Sequence, residues 1–172
     1  TDISEDSIVN PAQAAGGFVY AFDTQSRTPK QTANREAGAY LWQTYFTQAI
    51  FSSPAIGDVL PDNPGLEIVI GGGCFFPIGS SAKTNIGTNI IRPSDGAVLK
   101  TLTASACSMA SPALADVDGD GKLEVISMIT GRTDRGGDGF SKVVLWNPEG
   151  STSPAATFAP QDPFLASGQT DP

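Results

Sequence analysis

Apolar residues arrive in short β-branched runs closed off by Gly, Pro, Asp or Asn: "LEIVIGG" from Leu66, "TNIIRPSDGAVLKTL" from Thr88, "LEVISMI" from Leu123 and "KVVLWNPEG" from Lys142. Runs of this length and type predict strands. Those that pass through Asp95-Gly96 and Glu149-Gly150 predict hairpins. Helix-favouring residues are scarce, while Gly (19) and Pro (13) are abundant, so the pattern is that of an all-β chain.

The runs repeat. Ser53-Pro54-Ala55 aligns with Ser111-Pro112-Ala113, Asp58-Val59 with Asp116-Val117, and Leu66-Glu67-Ile68 with Leu123-Glu124-Val125, at an offset of about 58 residues. "GFVYAFD" (Gly17 to Asp23) and "AYLWQTYF" (Ala39 to Phe46) echo the closing hairpin, with an insertion between them. One unit therefore reads as strand, acidic loop, strand, longer loop, hairpin. Four short strands per unit is the requirement of a β-propeller blade. "SPAIGDV" and "SPALADV" then form innermost strands, where small residues suit the crowding near the axis. "LEIVIGG" and "LEVISMI" form second strands, apolar because neighbouring blades cover both faces. Trp42 and Trp146 are read as packing between blades. The expected organisation is a partial first blade with an inserted loop over 1–48, a second blade over 49–105, a third over 106–160, and a Pro-rich tail or link over 161–172. That is about three four-stranded repeats. A closed propeller needs at least about four blades, so the reading is an incomplete propeller whose missing blades come from the rest of a longer chain or from another subunit.

Charge narrows the function. The formal net charge is −8 with no basic stripe to neutralise phosphates, which argues against nucleic acid and fits cations. There is no histidine, which removes Ser-His-Asp and Cys-His nucleophile systems and His-ligated zinc. The longest weakly polar stretch, "LEIVIGGGCFFPIG", is broken by glycines and a proline, so no bilayer-spanning helix is expected. "TDISEDSIVN" is acidic and lacks a basic segment followed by an apolar core. If the protein is exported, this is a processed form.

The sharpest chemistry lies in "SPALADVDGDGKLEVIS" (Ser111 to Ser127), with aspartates at alternate positions 116, 118 and 120 followed by Gly121. Like charges so close repel unless they are splayed into water or wrapped around a cation. Asp116, Asp118 and Asp120, the backbone carbonyl of Lys122, and Glu124 at the ninth position closing with two oxygens supply about six oxygen ligands, within the range of Ca²⁺. Gly119 and Gly121 let the backbone turn around the ion. An EF-hand does not fit, because Ser127 occupies the twelfth position and the flanks are strand-like.

This segment resembles the calcium-loop repeats of FG-GAP and VCBS β-propellers, the class found in integrin α-subunit heads and in bacterial surface and secreted proteins. The outer strands also resemble quinoprotein-type propeller repeats. The first resemblance implies a calcium-binding propeller segment of an exported or cell-surface protein, extracellular or periplasmic, acting as a binding or adhesion module for a protein or glycan ligand. The alternatives are part of a propeller enzyme, either a quinone-dependent dehydrogenase or a carbohydrate-active hydrolase or lyase, and a structural subunit of a filament or multi-subunit assembly. No convergent carboxylate or lysine cluster marks a catalytic site.

The second loop, "DVLPDNPGLE", departs from the pattern. Leu60 replaces the second aspartate, and one extra residue displaces Glu67 from the ninth position, leaving Asp58 and Asp62 as weaker candidates. Cys74 and Cys107 are the only cysteines, and a bridge between neighbouring blades is open to them. "GGGC" lacks the Lys-Ser/Thr and helix of a phosphate loop and reads as a strand-end bend. "GRTDRGGDG" reads as a solvated insertion.

Overall fold

The computed structural model describes residues 2–3, 16–22, 40–73, 87–103, 107–130 and 141–158. Among these the chain is all-β, with eleven strands: β1 (Asp2–Ile3), β2 (Gly17–Phe22), β3 (Tyr40–Phe46), β4 (Ala55–Gly57), β5 (Glu67–Gly72), β6 (Gly87–Ile91), β7 (Val98–Leu102), β8 (Ala113–Ala115), β9 (Glu124–Ile129), β10 (Lys142–Trp146) and β11 (Ala156–Phe158). They form three antiparallel meanders in chain order: β1-β2-β3, β4-β5-β6-β7 and β8-β9-β10-β11. The "SPA" segments run into β4 and β8 at one margin of their sheets, and the hairpins form the other margin, as the strand pattern predicts. The three sheets do not close on themselves.

The repeat extends to individual hydrogen bonds. Gly73 N–H donates to the Ala49 carbonyl at 3.0 Å, and Thr130 N–H donates to the Cys107 carbonyl at 2.9 Å, the same bond in consecutive units. The β2–β3 and β6–β7 hairpins both shift register at one place, Ala21/Phe22 and Ile90/Ile91. That common irregularity aligns Trp42 with Lys100 and Phe22 with Ile91.

Sheets are joined by two apolar clusters. Trp42, Phe46, Ile50, Ile70 and Ile91 fill the space between the first and second sheets. Val59, Val69, Ile90, Leu102, Val125 and Val144, with Trp146, fill that between the second and third. Both tryptophans are thus inter-sheet packing residues. Along the margin formed by β4 and β8, leucine side chains of the third sheet close over Gly57: a Cβ added there would lie 2.7 Å from Leu114 Cδ1 and 2.9 Å from Leu123 Cδ1. Gly57 thus sits where a side chain would displace two leucine tips of the neighbouring sheet.

The outer margin is tied by polar bonds of one kind. Trp42 Nε1, on β3, donates to the Pro93 carbonyl in the next sheet's turn at 2.6 Å. Lys100, at the matching position of β7, donates through Nζ to the carbonyl of Pro148, the equivalent turn proline, and to that of Gly150 at 2.9 Å. Thr44 Oγ1 adds a bond to the Gly96 carbonyl. Trp42→Phe keeps the ring packing and deletes one of these bonds. Its expected cost is about 1 kcal/mol, read from the denaturant midpoint. A loss below a few tenths would show that the bond contributes no net stability.

Cys107 is buried and disulfide-bonded, and no described cysteine is free. Cys74, the other cysteine of the sequence, lies outside the described residues, as does "GRTDRGGDG".

Candidate metal centre

The β8–β9 loop brings Asp116, Asp118 and Asp120 together, with one carboxylate oxygen from each lying within 4.8 Å of the others, all three residues exposed. No other group of three or more acidic, His or Cys side chains does so among the described residues. The loop's own amides hold this charge together. Gly119 N–H and Gly121 N–H donate to the two oxygens of Asp116 at 2.7 and 3.0 Å. Asp120 N–H donates to Asp118 Oδ1 at 3.1 Å, and Lys122 N–H to Asp120 Oδ1 at 2.9 Å. Gly119 and Gly121 have φ of 83° and 88°, left-handed values that an L side chain resists. These turns aim successive N–H groups inward. The second oxygens of Asp118 and Asp120 accept no hydrogen bond among the described residues.

Glu124 is the first residue of β9 and 3 % exposed. Its Oε2 accepts the N–H of Val117 at 2.7 Å, bracing the loop from beneath. Its other oxygen takes no hydrogen bond among the described residues. Lys122 turns its side chain away from the strand core to pair with Glu149 Oε2 at 2.6 Å, in the β10–β11 turn. That bond and the charge of Glu149 raise the Lys122 pKa, with smaller contributions from Asp120 and Asp118. Glu149 was legible only as a turn residue; nothing local links it to a loop 27 residues earlier in the chain.

The second loop has the same brace. Counting along the sequence displaces Glu67 by one residue, yet Glu67 opens β5 opposite Gly57 as Glu124 opens β9 opposite Ala115. The extra residue is absorbed in the turn at Leu60–Asn63, where Asn63 N–H donates to the Leu60 carbonyl at 2.9 Å. Glu67 is completely buried and fully engaged. Its Oε2 accepts Val59 N–H at 2.8 Å and Leu60 N–H at 3.2 Å, and its Oε1 accepts Asn63 Nδ2 at 2.6 Å. Asn63, not singled out by sequence reasoning, fills the position next to the carboxylate with a neutral donor. Asp58 and Asp62 are exposed and, among the described residues, form no acidic group with a third residue. Of the acidic residues near the N-terminus, Asp2 falls in β1, and Glu5 and Asp6 lie outside the described residues.

No protein-family model matches the chain, and a search of the curated proteins found no relative. No helix among the described residues is long and apolar enough to cross a membrane.

Proposed function

We infer that the chain is a calcium-binding segment of a β-propeller, acting as a binding or adhesion module of an exported or cell-surface protein. One contrast supports this reading more than any other. In the second loop the buried glutamate has three donors and is complete; in the third, Glu124 has one donor, and three carboxylates gather in the loop that precedes it in the chain. Three carboxylates gathered this tightly repel one another, and a cation between them would relieve that repulsion. All the donors are oxygens, the set a hard cation such as Ca²⁺ prefers. The residues that would hold it are Asp116, Asp118, Asp120 and Glu124, with the Lys122 carbonyl. Bound there, the ion would neutralise the loop and fix the start of β9, a structural role. Stacked sheets with exposed loops, and the acidic surface, support a scaffold that presents a ligand-binding face.

The affinity expected of such a loop is on the order of 0.1–1 mM. At 10 mM calcium that stabilises the fold by about 1.4–2.7 kcal/mol, a rise of several degrees in thermal midpoint against a chelator control. Asp118→Ala is expected to abolish the rise. Equal midpoints with calcium and with chelator would overturn the metal reading.

A further inference from the structure

A cleft of about 340 Å³ opens where the end of β7 meets the third sheet, at the end of that sheet away from its aspartate loop. Its base is one face of the third sheet. Lys142 pairs with Ile129 across β9 and β10, and Val144 with Thr157 across β10 and β11, so these four side chains stand together. Thr103, just past β7, and Ser153-Pro154, just before β11, complete the lining. The two segments are joined by the bond from Thr103 N–H to the Thr152 carbonyl at 2.9 Å. Ile129 and Val144 are buried and make the base apolar. The hydroxyls of Thr103, Ser153 and Thr157 make no hydrogen bond among the described residues. Lys142 is the one charged residue in the lining.

The repeat does not call for these residues. At the matching places the second sheet has Gly72, paired with Gly87, and Asn89, paired with Thr101. There Thr101 Oγ1 donates to Asn89 Oδ1 at 2.9 Å, and Asn89 is 0 % exposed. In the third sheet an apolar side chain and an ammonium stand in place of the two glycines, and Val144 in place of Asn89 leaves the Thr157 hydroxyl without that partner. The described acidic residues of the third sheet, Asp116, Asp118, Asp120, Glu124 and Glu149, all lie toward its other end, so an anion at Lys142 is kept away from them. We propose that the cleft binds a small hydroxylated carboxylate the size of one uronic acid residue. Its carboxylate pairs with Lys142 in a charge-assisted hydrogen bond, its hydroxyls meet those of Thr103, Ser153 and Thr157, which both donate and accept, and its C–H face lies on Ile129, Val144 and Pro154. An apolar base with a few placed polar groups is the usual make-up of a small-molecule site. This site is separate from the aspartate loop and does not rest on the calcium reading.

Titration of the full chain with sodium glucuronate, followed by amide shifts in NMR spectra, tests it. The buffer is depleted of metal rather than chelated, because a chelator is itself a carboxylate. Saturable shifts are expected at Thr103, Ile129, Val144 and Thr157, with a Kd on the order of 1 mM for so small a ligand. Glucose, which has the ring and hydroxyls but no carboxylate, is expected to bind at least about 10-fold more weakly, and glucuronate to lose as much on Lys142→Gln. Circular dichroism checks the fold of that variant, and the glucose comparison decides should it not fold. A glucuronate oligomer separates a free acid from one carried in a glycan: saturation by either supports the proposal, and the tighter of the two names the source. No saturable shift with either acid at about 20 mM, equal affinity for glucose, or unchanged affinity in a folded Lys142→Gln variant would each overturn it.

Discussion

Glu67→Ala is expected to lower the unfolding free energy by about 3–5 kcal/mol, because hydrogen bonds to a charged group contribute about 1.5–3 kcal/mol each and buried donors left without a partner cost further. Glu67 is wholly enclosed and receives two backbone N–H groups and the Asn63 amide. Removing the carboxylate strands Val59 N–H, which is buried, and Leu60 N–H beside it. Glu67→Gln separates charge from shape: its one oxygen can still accept both Val59 and Leu60 N–H, and Asn63 can turn its own oxygen toward the new N–H, so a clearly smaller loss than that of Glu67→Ala is expected. Glu124→Ala, measured with chelator, is expected to cost less, since only Val117 N–H is deprived. Denaturant titration of the three variants gives the order. A cost below about 1 kcal/mol for Glu67→Ala would show that the loop is held by its prolines and turn alone.

Loss of the disulfide is expected to cost about 3–4 kcal/mol in the chain-entropy model. Cys107 is bridged, and Cys74 is the one other cysteine in the sequence, so the bond closes a loop of about 33 residues. Around Cys107 the backbone is already committed. Its carbonyl accepts Thr130 N–H, and the N–H of the next residue, Ser108, donates to Gly72 of the second sheet at 3.2 Å. The bridge therefore restrains the connection between two sheets rather than a free loop. The Cys74→Ala/Cys107→Ala double variant, compared with the oxidised chain by denaturant midpoint, reads the loss. Identical midpoints would place the bond outside the folded state's energetics.

Hairpins, the acidic loop and the short strands after Ser-Pro were legible in the sequence because each is written locally: Asp-Gly and Glu-Gly turns, alternate aspartates, small residues after Ser-Pro. Position counting failed at Glu67. Strand pairing opposite Gly57 fixes that residue, and a loop can absorb an insertion in its turn without moving the strand that follows. The outer ties were illegible for another reason. Their donors, Trp42, Thr44 and Lys100, share no chemistry beyond an N–H or O–H, and their acceptors are main-chain carbonyls, which every residue has. Nor could the sequence say which face of the first sheet packs against the second, since alternation reveals two faces and not which one is covered.

The second and third sheets are fastened at both margins. On one side Ser53 N–H meets Ser111 Oγ at 2.8 Å; on the other Lys100 holds the Pro148 and Gly150 carbonyls, and Thr103 N–H meets the Thr152 carbonyl at 2.9 Å. A plate pinned along one edge can swing, but a plate pinned along both cannot rock without stretching one row of pins. The angle between these sheets is thus set by the lengths of a few polar bonds, and the apolar filling between them adjusts to it. Whatever the loops leaving these margins carry is therefore held at a spacing that two rows of bonds fix together.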